Sequence, residues 1–345
     1  MKGTGLLVLE AVTTWLPEER EAASAMVAAG RITADESHDL GLTAVPVSEE
    51  SAPDMAVLAA ERALGASTCG PEDIDVLVHG WLYHQGHDFW SPAHYIAARI
   101  GAAAALPIGV QQMSNAGAAA LGVARDKLTA DARAQVALVT TADRFCPPGF
   151  DRWASDYGVV YGDAGTAALL RRQDPGRARS GLALKSLAFV TDARYESMYR
   201  GRDEFSPIPL WRGGRIDVRR PKKAYLEEHG GIAAFTESAR ASVRAVLLKA
   251  LAEADVDPRD ARIRYVALPR LSDSVLNMMY LPVLEGLLTG KVLREREDSG
   301  HLGAGDMFAN MAHISSSPDL ESGELAVLLG GGGGFTWSCA VVQAV

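Results

Sequence analysis

Cysteine is scarce in this sequence. The 345 residues include only Cys69, Cys146 and Cys339, which are odd in number, far apart and never arranged as Cys-x-x-Cys. A disulfide framework needs paired cysteines, and a structural zinc site needs clustered Cys or His ligands. The sequence therefore argues against both classes of small stabilised domain, and we expect no metal and no permanently bound cofactor.

Long apolar runs and an excess of basic residues are also lacking. No run approaches the ~20 apolar residues of a membrane span, and the first 22 residues show no signal-peptide core followed by a small-residue cleavage site. Lys and Arg number 34 against 43 Asp and Glu, a formal net charge of −9. We therefore expect a soluble cytoplasmic protein without a nucleic-acid or membrane partner.

What the chain does have is a large apolar fraction arranged in alternating patterns. Hydrophobic residues make up 48% of the sequence, and the length fits about two domains. Apolar, β-branched runs predict buried strands, and Ala-rich or amphipathic stretches between them predict helices, which together indicate an α/β layered fold. The predicted strands span residues 6–12, 74–79, 135–141, 182–191, 263–268, 325–329 and 335–342, and the predicted helices span residues 51–64, 116–128, 232–254 and 276–288.

The best internal boundary is the Arg- and Gly-containing stretch at residues 173–180. It divides the chain into two nearly equal parts, residues 1–175 and 176–345, and each part carries its own alternation of strands and helices. No clear sequence repeat relates the two parts, yet their similar organisation predicts a duplicated α/β architecture.

Three short motifs stand at the ends of predicted elements. Ser114 lies between a strand and the Ala-rich helix, where a helix N-terminus favours developing negative charge; taken alone, an ordinary N-cap explains it better. His301 is flanked by Gly and followed by Asp306, as for an imidazole with an orienting carboxylate, although a lone His is more often structural. The glycine run at residues 330–334 allows close backbone approach to a bound atom.

Two sets of titratable residues allow a purely structural as well as a functional interpretation. The histidines His79, His84, His87 and His94 are loosely clustered, but they have no metal-ligand spacing. Residues 199–223 are rich in Arg and Lys, which is typical either of a solvated surface excursion or of a docking patch for an anionic partner.

Taken in order, these motifs resemble the β-ketoacyl-ACP synthase III family of the thiolase superfamily. The resemblance covers nearly the whole chain and rests on the segments TTWLPEE, SAPDMAVLAAERAL, His87-Asp88-Phe89, the turn at Ser114, GDAGTAALL and GGGGGFTW. It implies a five-layered α-β-α-β-α fold of duplicated halves, a homodimer, and an acyl donor that is either acyl-CoA or a phosphopantetheinyl carrier protein.

Departures from the family pattern bear on function. The family nucleophile is a Cys at the N-terminus of the central helix, and here that position is Ser114, so an acyl-serine would replace the acyl-cysteine. The family His of a Pro-His-Gln-Ala-Asn motif is replaced by Arg270 after Pro269. The family Asn of a Gly-Asn-Thr motif is replaced by His301. Together these changes weaken decarboxylative C–C bond formation and supply a general base.

The resemblance and its departures predict a catalytic triad of Ser114, His301 and Asp306, since a base beside a nucleophile and oriented by a carboxylate follows triad logic. The backbone N–H groups of Ser114 and Gly333 would form the oxyanion hole. The family also implies substrate-binding roles for Phe89, which would cross a dimer interface, and for Asn115 and Arg270. CoA or carrier docking is assigned to Arg212, Arg215, Arg219, Arg220, Lys222 and Lys223.

Three functions remain open from the sequence. The first is acyl transfer from CoA or a carrier protein to a hydroxyl or amine of a small acceptor in secondary metabolism. The second is a ketosynthase III-type starter-unit condensing enzyme of a polyketide pathway, which still makes a C–C bond. The third is a non-catalytic subunit that binds a carrier protein. The replaced Pro-His and the gained Gly-His favour the first.

Overall fold

The computed structural model describes residues 5–173, 180–208, 214–294 and 298–345. The predicted boundary between residues 175 and 176 falls outside the described residues. The strands are β1 Leu6–Trp15, β2 Arg20–Ala22, β3 Ala44–Pro46, β4 Val76–Trp81, β5 Leu106–Gln111, β6 Val136–Asp143, β7 Ala164–Gln173, β8 Leu182–Thr191, β9 Ile263–Ala267, β10 Lys291–Leu293, β11 Leu325–Gly332 and β12 Thr336–Ala344.

Helices connect most of these strands. They are α1 Ala23–Ala28, α2 Ala34–Leu40, α3 Ala52–Gly65, α4 Pro92–Ile100, α5 Ala116–Ala130, α6 Ser197–Arg200, α7 Arg219–Glu228, α8 Gly231–Glu253, α9 Asp273–Val275, α10 Leu281–Leu284 and α11 Asp306–Ser315. A π-helical turn, Leu276–Tyr280, joins α9 to α10. None of the described helices combines the length and the apolar character that crossing a membrane requires.

Ten strands follow one another in the order β5-β4-β6-β7-β1-β8-β12-β11-β9-β10. The first five belong to the N-terminal half and the last five to the C-terminal half, and the pattern of pairing repeats. In each half a parallel trio, β5-β4-β6 or β10-β9-β11, continues into two antiparallel pairings. The halves join through β1 and β8 at only two residue pairs. The duplication expected from the sequence is therefore present in the topology.

The sheets alternate with helices to give five layers. Helices α3 and α4 cover the outer face of the N-terminal strands, α8 covers the outer face of the C-terminal strands, and α5 and α11 pack between the two. Both faces of the inner strands are covered, so all eight residues of β6 are buried. Small side chains let α5 fit between the sheets, because its buried face is built largely from Ala and Gly.

The sequence patterns found seven of the twelve described strands and the long helices α3, α5 and α8, and they missed many of the other elements. Strand β5 was not predicted, because its residues alternate between half-buried and exposed and include Pro107 and Gly109. The three-residue edge strand β10 was missed for lack of length. The helix predicted over residues 276–288 is irregular and ends at Leu284, after the π-helical turn and Pro282.

The contact between β7 and α3 gives a test of this packing. A Cβ on Gly165 would lie 2.1 Å from the carbonyl oxygen of Met55 in α3, which is backbone and cannot move aside cheaply. Gly165→Ala is expected to lower the free energy of unfolding by about 3 kcal/mol, measured by urea denaturation followed by tryptophan fluorescence. Gly65→Ala is the control, because nothing lies within 4 Å of its added Cβ; stability there should hold or rise by up to about 1 kcal/mol. Equal effects of the two substitutions would contradict the packing described.

Candidate active site

Ser114 lies in the tight turn between β5 and α5. Met113, directly before Ser114, has a positive φ of 50°, a backbone conformation that residues other than glycine rarely adopt. The amide N–H of Asn115 donates to the carbonyl of Gln112 at 3.1 Å, and that of Ala116 donates to the carbonyl of Met113 at 3.0 Å. The half-buried Ser114 hydroxyl is thus held at the N-terminal end of the central helix.

His301 joins Ser114 to Asp306. Its Nε2 lies 2.7 Å from the Ser114 Oγ, and its Nδ1 lies 2.7 Å from the Asp306 Oδ2. A carboxylate can only accept, so Nδ1–H donates to Asp306, and Nε2 is left to accept the Ser114 hydroxyl proton. The imidazole is almost entirely buried, at 3% exposure. The three residues that the sequence grouped are therefore brought together in one hydrogen-bonded chain.

The Asp306 carboxylate is fixed by more than the histidine. Asp306 begins α11, and its Oδ1 accepts the N–H of Leu302 at 2.8 Å while its Oδ2 accepts the N–H of Arg270 at 2.8 Å. Burial raises the pKa of Asp306, but His301, Arg270 and the backbone donor at Leu302 outweigh burial and hold it below the usual range. Asp306 is therefore ionised at neutral pH, as the orienting member of a triad must be.

The glycine run packs closely against the turn that contains Ser114. Glycines 330–332 belong to β11, and the chain then turns into β12. A Cβ on Gly332 would lie 2.5 Å from the backbone nitrogen of Asn115, so only glycine permits this contact. Gly333 and Ser114 line the same cavity. The two residues predicted to form an oxyanion hole therefore line one cavity.

That cavity has a volume of about 290 Å³ and contains Ser114 and His301 in its wall. Its other walls are mostly apolar and aromatic, with Phe335, Trp337 and Tyr280 near the glycine run and Met278 and Met279 from the π-helical turn. A concave, largely apolar site with few polar groups is typical of a small-molecule pocket. It could hold an acyl group attached to Ser114.

Arg270 and Asn115 do not lie where the sequence predicted. Arg270 is absent from the cavity wall, and its guanidinium donates to Asn310 Oδ1 at 3.1 Å and to Ser299 Oγ at 2.6 Å. The buried Asn115 amide donates to Gln112 at 2.7 Å and accepts from Ser338 at 2.6 Å. Their side-chain groups are committed to these partners, so both residues hold the site together and do not face the cavity.

Phe89 lies outside the cavity wall, on the loop between β4 and α4. Its side chain is fully exposed and its φ is +52°. The single chain therefore gives it no substrate contact, and the predicted role across a dimer interface stays a prediction.

The basic segment is mostly paired within the chain. Arg215 donates to Asp151 at 2.9 Å and Arg220 to Asp203 at 2.5 Å. The other described members also have acidic partners: Arg219 lies 3.8 Å from Glu36, Lys223 lies 4.0 Å from Glu227, and Lys222 is bonded to Asp156. Arg212 lies outside the described residues. These cations therefore form ion pairs within the chain: Lys223 and Arg220 are well exposed, whereas 12% of the Lys222 side chain is exposed. The predicted docking role stays a prediction.

The GDAG motif and the residues before it hydrogen-bond to the backbone of His301. The N–H of Gly162 donates to the His301 carbonyl at 2.9 Å, and the His301 N–H donates to the Val160 carbonyl at 2.8 Å. The neighbouring Asp163 is completely buried and accepts from Arg152 through both oxygens, at 3.1 and 3.2 Å. The motif is uninformative alone; its role emerges only from the contact between distant segments.

Asp143 was missed by the sequence analysis. Its Oδ1 accepts the N–H groups of Leu82 and Tyr83, at 2.8 and 2.7 Å, and its Oδ2 accepts that of Ala304 at 2.8 Å. Asp143 therefore holds the segment between His301 and Asp306 in place. Burial raises its pKa to about 7, against the effect of the three backbone donors. In the sequence, the only indication of this role is that Asp143 stands just after the end of a predicted buried strand.

The described residues contain no group of three or more His, Cys, Asp or Glu side chains that could hold a metal ion. His79 has a structural environment: its ring nitrogens lie 3.0 Å from Thr140 and 3.1 Å from Gln85. Burial lowers its pKa to about 4, so it is neutral at physiological pH.

Comparison with known proteins agrees with this architecture. Residues 251–344 match the family described as 3-oxoacyl-[acyl-carrier-protein (ACP)] synthase III C terminal. The solved structure of ChlB3, an acyltransferase, is 28% identical with a TM-score of 0.87, and the match covers 99% of this chain and 98% of that chain. Comparison with curated proteins gave no match.

Two synthases share the fold at lower identity. FabH, 3-oxoacyl-(acyl carrier protein) synthase III from Pseudomonas aeruginosa PAO1, is 19% identical with a TM-score of 0.78 over 98% of both chains. The priming β-ketosynthase of the R1128 polyketide pathway is 17% identical with a TM-score of 0.77, over 99% of this chain and 98% of that one. The fold is thus thiolase-like, as expected. The resemblance to the β-ketoacyl-ACP synthase III family is confirmed.

The buried ion pair of Asp163 and Arg152 lies next to the backbone that contacts His301, and its contribution to stability can be tested. Asp163→Asn would leave the Arg152 guanidinium buried without its anion, and the free energy of unfolding should fall by about 3–5 kcal/mol in urea denaturation. Glu196→Gln breaks the exposed pair with Arg200 at 2.6 Å and should cost less than about 1 kcal/mol. Similar losses in the two variants would show that the buried pair is not a support.

Proposed function

We propose that this protein is an acyltransferase that moves an acyl group from acyl-CoA or an acyl-carrier protein, through an acyl-serine at Ser114, to a hydroxyl or amine of a small acceptor in secondary-metabolite biosynthesis. The observation that carries the proposal is the chain from Ser114 through His301 to Asp306, with 2.7 Å at each link. The likeness to ChlB3, named an acyltransferase, supports it.

In the first half-reaction Ser114 Oγ attacks the thioester carbonyl. His301 Nε2 takes the hydroxyl proton as the new C–O bond forms, and the ionised Asp306 stabilises the resulting imidazolium. A serine hydroxyl is barely ionised at neutral pH, so a positioned base matters more here than for a cysteine. The C–S bond then breaks, and His301 returns the proton to the leaving thiolate.

The tetrahedral intermediate carries a negative oxygen that needs donors. The N–H groups of Ser114 and Gly333 are proposed for this role, because both residues line the cavity and the Ser114 amide lies at the positive end of α5. In the second half-reaction His301 accepts a proton from the acceptor hydroxyl, whose oxygen attacks the acyl-serine ester. The Ser114 C–O bond breaks and His301 reprotonates the serine.

Transfer to a heteroatom is favoured over condensation by the position of Arg270. Decarboxylative condensation in the family relies on a histidine at that position to help stabilise the enolate, and here its replacement is turned toward Asn310 and Ser299. Among the residues that the structure describes, His301 is the only histidine in the cavity wall. A single base bonded to a nucleophile suits acyl transfer.

We further propose a homodimer and an anionic donor. The fully exposed Phe89 and the neighbouring Trp90, 40% exposed, form an apolar tip that a partner subunit could cover. The exposed cations Arg220 and Lys223 are candidates for contact with the phosphates of CoA or with an acidic carrier protein.

One prediction of this proposal concerns a covalent intermediate. Incubation with a panel of acyl-CoAs is expected to add the mass of one acyl group to the wild-type chain and nothing to Ser114→Ala, measured by intact-protein mass spectrometry. Asp306→Asn should acylate about 10³- to 10⁴-fold more slowly, because the imidazole loses its orientation and its counter-charge.

Asp319→Asn is the matched control for Asp306→Asn. Asp319 follows α11 and is exposed, so its variant should acylate at the wild-type rate. Absence of any adduct, with acyl-carrier proteins as well as acyl-CoAs, would favour the non-catalytic carrier-binding subunit.

A further prediction distinguishes acyl transfer to a heteroatom from condensation. With malonyl-carrier protein supplied to the acylated enzyme, we expect no release of carbon dioxide and no β-ketoacyl product, while a hydroxyl acceptor should discharge the acyl group. Detection of a β-ketoacyl product by mass spectrometry would replace acyl transfer by the starter-unit condensing function.

A further inference from the structure

A small group of polar side chains interrupts the apolar wall of the cavity. Tyr161, Tyr199 and Lys222 all line it, together with Ser114 and His301, and Asp156 lies directly behind them. The proposed triad uses none of the four. A role for this group in selecting the acyl chain rests on the proposed function, because Ser114 would carry that chain.

Asp156 organises this group. Its carboxylate is completely buried; Oδ2 accepts the Tyr161 hydroxyl at 2.9 Å, while Oδ1 accepts the Tyr157 N–H at 2.7 Å and the Lys222 ammonium. The ammonium also lies 4.6 Å from the centre of the Tyr199 ring. Burial lowers the pKa of Lys222, but Asp156 and Tyr199 outweigh burial and raise it, so the side chain stays charged.

The hydrogen-bonding capacity of the group is only partly used. The Tyr161 hydroxyl gives its proton to a carboxylate that can only accept, so its oxygen lone pairs remain available as acceptors. Lys222 has three N–H bonds, of which one is directed to Asp156, and its ammonium lies over the Tyr199 ring, so at least one N–H remains as a donor. The Lys222 ammonium lies over the Tyr199 ring and can only donate, so the Tyr199 O–H itself remains a donor. The wall therefore offers two donors beside one acceptor.

The group lies beside the predicted reaction centre. The Tyr161 ring meets the His301 ring edge-on with 5.3 Å between centroids. On the other side, a Cβ on Gly333 would lie 2.5 Å from the Tyr199 ring, so that ring packs directly on the predicted oxyanion loop. An acyl group on Ser114 would thus have Tyr161 and Tyr199 as near neighbours.

We infer that Lys222, Tyr199 and Tyr161 select an acyl group that carries a hydroxyl substituent. A hydroxyl is both donor and acceptor, so it can give its proton to Tyr161 and accept from Lys222 or Tyr199. An unsubstituted alkyl or aryl acyl group would cover these polar groups without pairing them, which a buried site penalises strongly. A carboxylate substituent would meet the negative charge of Asp156 and the lone pairs of Tyr161.

The test measures binding in the Ser114→Ala variant, so that it does not require acyl transfer. Isothermal titration compares 3-hydroxybutyryl-CoA with butyryl-CoA, and each of the three hydroxybenzoyl-CoA isomers with benzoyl-CoA. We expect at least one hydroxylated ligand to bind about tenfold or more tightly than its unsubstituted counterpart. The aliphatic and phenolic pairs distinguish the two sources of the hydroxyl.

Variants then locate the discrimination. Tyr199→Phe, made in the Ser114→Ala background, removes one donor and keeps the ion pair of Lys222 and Asp156; it should weaken only the hydroxylated ligand, by about tenfold. Lys222→Met should act in the same direction, but it leaves Asp156 buried without its cation and could unfold the chain. Tyr195→Phe is the control, because Tyr195 packs on Phe335 outside the cavity wall.

Two results would overturn the inference. One is that no hydroxylated ligand binds more than about twofold better than its counterpart. The other is that Tyr199→Phe weakens both members of a pair equally, which would assign the group to the shared CoA portion. After either result, mass spectrometry would still test whether Ser114 is acylated. Conversely, selective binding without any acylation would contradict the proposed function and leave this inference standing.

Discussion

The hydrogen-bonded chain from Ser114 to Asp306 is the constraint on which the rest of the site depends, because its members come from the two halves of the molecule. Ser114 ends a turn of the N-terminal half, while His301 and Asp306 belong to the C-terminal half. The contact of 2.7 Å between His301 and Ser114 crosses this junction, and it tolerates only a small shift between the halves. The closely packed layer of α5 and α11, in which α5 contributes mostly small side chains, supplies that rigidity.

Buried charges reinforce the same junction. Asp143 accepts hydrogen bonds from Ala304 and from the two residues that follow β4. Asp163 forms a buried ion pair with Arg152, and Asp306 accepts the backbone N–H of Arg270. Charges taken out of water contribute little net stability even when paired, and apolar replacements are often as stable. What they provide is directional: each carboxylate fixes two or more backbone segments in one geometry. The arrangement fits a protein in which placing an imidazole matters more than maximal stability.

The sequence predicted the parts of this protein that depend on local pattern. Buried strands such as residues 182–191 could be predicted from apolar runs. The grouping of Ser114 with His301 and Asp306 was implied by the resemblance to a known family and by the departures from its pattern. It could not predict side-chain direction. Whether Arg270 points into the cavity or away from it, and whether Lys222 is exposed or buried, depends on partners such as Asn310 and Asp156 that are distant in sequence. The edge strand β5, half exposed and containing Pro107, gave too weak a pattern.

The exchange of residues around the nucleophile has a consistent physical logic. A thiolate can attack a thioester without a tightly bonded base, and it leaves its second partners free to stabilise an enolate. A serine cannot, so the imidazole must accept its proton directly, and the carboxylate must hold the ring in one tautomer. An imidazole fixed in that way is at the correct point to deprotonate an incoming hydroxyl as well. In the proposed mechanism, the base that the serine needs for its own acylation is therefore also the base that a heteroatom acceptor needs for deacylation, and His301 would serve as both.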